Sequence, residues 1–242
     1  MDDMTACIIT RTLPGADVTA EAVRALGLAP VVIPAAQIYA TGAEIVLEGV
    51  QALLMTSAAA ARTIEVTDAI KALPLYAVGD ATAEAALTAG FETVISAGGD
   101  GATLAVLAAD RMSPRRGALL HLRGQEVTGD VTGMLRACGF EARHIEVYTT
   151  ADHPDFPARL RETLASAHGF VLIHSPAGAR RLGSAIADSD ADLRRWQLIG
   201  LSAACLKPLE TYDFSSKHMA EAPDEAALMA ALREAMTQEG LE

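Results

Sequence analysis

Aromatic residues are scarce in this chain: Phe, Trp and Tyr make up 4% of its 242 residues, with a single Trp. A core short of rings must be filled by aliphatic groups, and 49 alanines dominate a 51% hydrophobic composition. Alanine is the best helix former, so the composition predicts helices packed closely on something flat. Cysteine is scarce too. Cys7, Cys138 and Cys205 lie far apart, fit no metal spacing and sit in apolar stretches. That excludes a disulfide framework and predicts three core thiols in a reducing compartment. Basic residues are outnumbered, 19 Lys and Arg against 31 Asp and Glu, for a formal net charge of -12. Such a balance argues against gripping nucleic acid or an anionic membrane through counterion release. An anionic small substrate stays open, provided local devices hold it. No apolar run approaches the roughly 18 to 20 residues of a membrane span. The opening MDDMTACIIT lacks a basic segment followed by an apolar one, so no signal peptide is expected and a cytoplasmic location is.

What is present is a regular alternation. Short apolar runs at 6–10, 30–34, 52–56, 75–79, 92–95, 118–122, 142–148, 169–174, 197–200 and 211–214 read as strands. Helical patterns such as 17–26 and 128–138 lie between them, and Gly27, Gly90 and Gly139 stand where a C-cap glycine ends a helix. Runs buried on both faces and separated by helices predict parallel α/β sheet, and ten strands exceed one small sheet. The chain also resembles itself. Cys7–Gly27 aligns with Leu119–Gly139, placing Arg11 over Arg123; Leu53–Arg62 aligns with Leu172–Arg181, placing Ser57 over Ser175 after a one-residue adjustment of the strand; Val78–Leu87 aligns with Ile199–Pro208. Three blocks in one order predict two similar open α/β halves.

Each repeated block ends a strand in Gly, Ser or Thr and starts a helix at once: Ser57, Gly79 to Thr82, Ser175 before Pro176, and Gly200 to Ser202. Such junctions serve as ordinary N-caps. They also offer unpaired amides and a positive helix end, at the sheet edge where open parallel sheets bind ligands. The loop AGGDGAT (97–103) lacks the Lys-Ser/Thr of a P-loop, so Asp100 or Thr103 is expected to cap a helix. The six histidines fall at no metal or triad spacing, and His121 and His174 read as packed or rim residues of strands. No G-x-S-x-G elbow is present. Tyr148 ends the run EARHIEVY at the expected crossing between halves. It reads either as an interface aromatic with a hydrogen-bonded hydroxyl or as a proton donor in an interdomain cleft.

Taken in order, the opening Thr10-Arg11, MTSAAAAR, VGDATAEAALTAGF, LLHLRG, CGFEARHIEVYTT, IHSPAGARRL and IGLSAACL resemble the uroporphyrinogen-III synthase family over almost the whole chain. The resemblance implies two similar open parallel-sheet (flavodoxin-like) domains joined by a two-stranded connection. One would be discontinuous, 1–37 plus 152–242, and the other would be 40–149. It implies a lyase that cyclises hydroxymethylbilane, a linear tetrapyrrole, to uroporphyrinogen III with inversion of ring D and release of water. No cofactor or metal is implied, and a monomer is expected, with substrate handed over from the preceding synthase. Tyr148 matches the tyrosine assigned as the acid. Arg11, Ser57, Gly79, Ala81, Thr82, Gly124, Ser175, Gly200 and Ser202 match substrate-binding positions. The chain departs from the family at its second glycine block, where the usual G-P-T-T is replaced by Gly200-Leu201-Ser202-Ala203 and one hydroxyl is lost. From another class, the alternative is a non-catalytic two-domain binding protein for an anionic small molecule or tetrapyrrole.

Overall fold

The computed structural model describes residues 5–126, 129–187 and 189–240. The chain runs β1 (Ala6–Ile9), α1 (Gly15–Ala25), β2 (Ala29–Val32) and β3 (Ala36–Ala40). It continues through β4 (Val50–Met55), α2 (Ala58–Thr63), α3 (Asp68–Lys71), β5 (Leu75–Ala77), α4 (Asp80–Ala89), β6 (Val94–Ser96) and α5 (Gly101–Arg111). There follow β7 (Ala118–Gly124), α6 (Val131–Ala137), β8 (Ala142–Asp152), α7 (Phe156–Ser166), β9 (Gly169–Ile173) and α8 (Pro176–Ile186). β10 (Trp196–Gly200), α9 (Ala203–Leu206), β11 (Ser216–Met219) and α10 (Glu225–Gln238) complete it.

These elements divide into two compact units, one from residues up to Gln37 and from Ala151 onward, the other Ile38–Thr150. The first holds a sheet ordered β11-β10-β9-β1-β2 and the second a sheet ordered β3-β8-β7-β4-β5-β6. The pairings within β11-β10-β9-β1-β2 and within β8-β7-β4-β5-β6 are parallel. β3 and β8 are neighbours, and both carry the chain across the boundary between units.

The sequence repeat has a topological counterpart. Its blocks equate β1 with β7, β9 with β4 and β10 with β5, and those strands hold equivalent places in the two sheets. Numbered from β1 or from β7, each sheet carries the flavodoxin-like order 2-1-3-4-5. The first unit therefore draws strands 1 and 2 from the first repeat and strands 3, 4 and 5 from the second, and the other unit does the reverse.

Both faces of each sheet are covered, and for that reason the strands read as unbroken apolar runs. β1, β9 and β10 are buried along their whole length. Alanines let the helices approach: Ala16 and Ala20 of α1, Ala59 to Ala61 of α2, Ala105 and Ala108 of α5, and Ala231 and Ala235 of α10 all face the cores. Ser57, Asp100 and Ser175 cap helix starts as the sequence indicated, and Asp130 and Asp224 cap two more that it did not. Each accepts a hydrogen bond from an amide of the first turn. Gly27, Gly90 and Gly139 end α1, α4 and α6 with φ of 81°, 105° and 85°.

Some sequence readings are corrected. Cys7 and Cys205 are core thiols, and burial pushes the Cys7 thiol far up, but Cys138 is exposed because it is the C-cap residue beyond the packed turns of α6. The run 211–214 is not a strand. Phe214 is buried and Tyr212 donates its hydroxyl to Gly183 O at 2.8 Å, so these rings fill the core from a loop, and the polar Ser216–Met219 forms the edge strand instead. Ala36–Ala40 is a strand that the apolar pattern did not reveal. Of the expected helix 128–138, Val131–Ala137 is helical and residue 128 lies outside the described residues.

Candidate active site

In a 2-1-3-4-5 sheet the chain leaves strands 1 and 3 in opposite directions, and the crevice at their C-terminal ends is the switch point where ligands bind. In the first unit those strands are β1 and β9. Ile9 pairs with Leu172, so Arg11 and His174 each lie two residues beyond that pair and Ser175 follows directly. In the second unit they are β7 and β4. Leu122 pairs with Met55, so Gly124 and Ser57 each lie two residues beyond it. β5 adds Gly79 next to β4, and β8 adds Tyr148, paired with Gly124.

The first switch point is charged. Arg11 Nη1 donates to Glu225 Oε2 at 2.7 Å and approaches Thr19 Oγ1 at 3.3 Å, and Thr19 donates to Glu225 Oε1 at 2.5 Å. Gly15 makes room for this, since a Cβ there would lie 2.7 Å from Arg11 Nε and Nη2. His174, its side chain only 8% exposed, brings Nε2 to 3.3 Å from Glu225 Oε2. Burial works to raise the Glu225 pKa, but His174, the Thr19 hydroxyl and Arg11 together hold it at about 2. Ser175 caps α8 through Gly178 N at 3.0 Å. Ser202 offers no cap; its hydroxyl turns to Cys205 Sγ at 3.3 Å, and Gly200 leaves the space that Leu206 occupies.

The second switch point is quieter. Ser57 caps α2 through Ala59 N at 3.1 Å. Beside it the Thr56 hydroxyl and His121 Nε2 are 3.0 Å apart. Burial, with unfavourable electrostatics from Arg123 and His144, lowers the His121 pKa to about 4, so the ring is neutral near pH 7. Arg123 Nη2 donates to Glu146 Oε1 at 3.0 Å, leaving its buried Nε without a partner among the described residues. Gly79 opens α4 with free space where a Cβ would stand, Ala81 is exposed, and Thr82 is only 5% exposed within the first turn. Tyr148 packs its ring against the core beneath and over Gly124, and its hydroxyl makes no hydrogen bond among the described residues.

The candidate residues thus gather in two groups: Arg11, Ser175, Gly200 and Ser202 at one switch point, Ser57, Gly79, Ala81, Thr82, Gly124 and Tyr148 at the other. Among the described residues no group of three or more His, Cys, Asp or Glu is placed to hold a metal ion. No helix there is long and apolar enough to cross a membrane. Sequence reasoning missed Glu225, Thr19 and the Thr56 to His121 pair. Glu225 stands 214 residues from Arg11, and no local pattern announces such a partner.

Residues 17–230 match the family model described as uroporphyrinogen-III synthase HemD. The chain belongs to the uroporphyrinogen-III synthase family. It is therefore an enzyme of tetrapyrrole biosynthesis whose substrate is hydroxymethylbilane, which it cyclises. The fold agrees with that of solved uroporphyrinogen-III synthases. The crystal structure from Helicobacter pylori is 14% identical with a TM-score of 0.63, covering 97% of this chain and 100% of that one. A mutant from Thermus thermophilus is 15% identical with a TM-score of 0.52, covering 98% and 100%. Among curated proteins none matches the chain.

Proposed function

We propose that this member of the uroporphyrinogen-III synthase family acts as a hydro-lyase that inverts ring D, with Tyr148 as the acid and the two switch points as anchors for substrate carboxylates. Protonated by Tyr148, the terminal hydroxyl of hydroxymethylbilane leaves as water and yields an azafulvene. The substituted carbon of ring D attacks it to form a spiro intermediate. That intermediate fragments and closes at the other carbon, and loss of a proton restores the pyrrole. Because the linear substrate closes unaided to the uninverted isomer, the protein's work is to fix conformation and deliver one proton.

The observation that supports this reading is the state of the Tyr148 hydroxyl. It stands beside Gly124 at the end of β7, with β7 between it and the strand that leads to Ser57, and is bonded to no described residue, so it is free to donate to a ligand. Helix starts at Ser57, Gly79 and Ser175 supply amides and a positive dipole end for carboxylates. These devices fit a chain of net charge -12, in which both edge arginines are already held by Glu225 and Glu146. The reading includes a cytoplasmic monomer that needs no cofactor and receives its substrate from the preceding synthase.

The test is to supply hydroxymethylbilane and separate the product isomers. Isomer III formed faster than the spontaneous closure is the expected result; isomer I alone at the spontaneous rate leaves only a binding protein. Tyr148→Phe should lower turnover by about 10²-fold or more with the fold retained. Unchanged turnover would remove Tyr148 from the chemistry.

A further inference from the structure

We infer that Gly124 and a one-residue bulge at Val147 form a device that positions the Tyr148 hydroxyl, and that Gly124 is not itself a substrate contact. The inference rests on Tyr148 being the acid. Along β7 and β8 the pairing proceeds residue for residue from Leu119 with Ala142 to Arg123 with Glu146, and then Gly124 pairs with Tyr148. Val147 is the extra residue. Bulges re-aim side chains and recur next to active sites; in parallel pairs they are rare.

The consequence for Tyr148 follows from strand alternation. Leu120, Leu122, Ile145 and Val147 share one core, whereas Leu119 and Ala142 belong to the core on the opposite face. In an unbroken strand Tyr148 would follow Glu146 to that opposite face. The bulge returns it to the face of Leu122, where its ring joins the core of Val147. On that face the residue of β7 beneath it is Gly124. A Cβ at Gly124 would lie 2.5 Å from Tyr148 Cζ, 2.6 Å from Cε2 and 2.7 Å from the hydroxyl oxygen. Any side chain there would lift the ring off the sheet. Two bonds fix the strand end in this state: Gln125 N donates to Tyr148 O at 3.0 Å, and the Thr149 hydroxyl donates to Gln125 Oε1 at 2.9 Å.

Gly124→Ala, Tyr148→Phe and the double variant, assayed for isomer III, test this. Displacing a catalytic group by about 1 Å costs up to about 10²-fold, so Gly124→Ala should lower kcat roughly 10- to 100-fold with KM nearly unchanged. In the Tyr148→Phe background, where the ring still collides but no proton is delivered, Gly124→Ala should lower kcat no further while still lowering Tm. A rise in KM with kcat preserved, or the same fall in kcat in both backgrounds, would overturn the positioning role. Wild-type turnover in Tyr148→Phe would instead reject the acid assignment, a different failure. Should Gly124→Ala not fold, Gln125→Ala takes its place, because that exposed side chain only braces Thr149. Its kcat should fall severalfold, and only when Tyr148 is present; an unchanged kcat would overturn the inference.

Discussion

Lowering the pH from 7 toward 4 protonates His121 in the unfolded chain before it does so in the fold. The ring lies in β7 with 4% exposure, beside Thr56, and its pKa falls from 6.5 to about 4 because burial and the neighbouring Arg123 and His144 disfavour the cation. Over that window the unfolded state binds more protons, so stability drops as the pH drops. A gap of this size, at about 1.4 kcal/mol per pH unit, gives a loss on the order of 3 kcal/mol. The loss should begin near pH 6.5 and level off near pH 4. Urea denaturation of wild type and His121→Asn at half-unit steps from pH 7.5 to about 4 measures it, the other five histidines forming a background common to both. The variant starts less stable at pH 7, having lost the packed ring, and should close the gap as the pH falls. Parallel profiles would refute the reasoning, since they would mean that the buried ring titrates as it does in the unfolded chain.

Glu225 should act in a lower window. Its pKa is held at about 2 against a usual 4.5, so its contribution is present above pH 4.5 and is lost as the pH falls toward 2. With a third of the side chain exposed, Glu225→Gln should cost about 1 kcal/mol at pH 7, and thermal melts of the two proteins should converge near pH 2. Ser57→Ala and Ser175→Ala each remove a cap and should each cost about 1 kcal/mol in denaturant. Both should raise KM for hydroxymethylbilane more than they lower kcat; a KM unchanged in both would detach these helix starts from substrate binding.

The fold was legible where chemistry is local. Doubly buried strands such as Cys7 to Ile9 and Phe170 to Ile173 are apolar because both faces are covered, and Ser57, Asp100 and Ser175 announce helix starts because the cap bond spans only two or three residues. β11 was misplaced because its own residues are polar while the aromatics before it pack inward from a loop. β3 escaped because AQIYA is mostly exposed and carries no clean alternation. The candidate site was legible as a set of junctions, not as contacts. Arg11 marks the end of β1 in the sequence, but its commitment to Glu225 and Thr19 depends on α10 returning to the start of the fold. Gly124 looked like a glycine at a ligand edge, and only the register of β7 on β8 shows that the space it leaves is filled by Tyr148.

The permuted repeat gives those junctions a further constraint. The first repeat supplies Arg11 and Ser57, the second Arg123 and Ser175. In space Arg11 shares a switch point with Ser175, and Arg123 shares one with Ser57. Neither repeat closes a switch point by itself; each crevice is built from the end of a strand 1 of one copy and a strand 3 of the other. The two sites therefore need not stay alike, and they have not. Where the repeat places His174, facing Glu225, the other copy has Thr56, facing His121. The proposed acid, Tyr148, arises on β8, whose length of 11 residues exceeds the 4 of its counterpart β2, because β8 also carries the chain between units. That tyrosine thus sits on a strand that carries the chain between units, next to the one irregular step in that strand's pairing with β7.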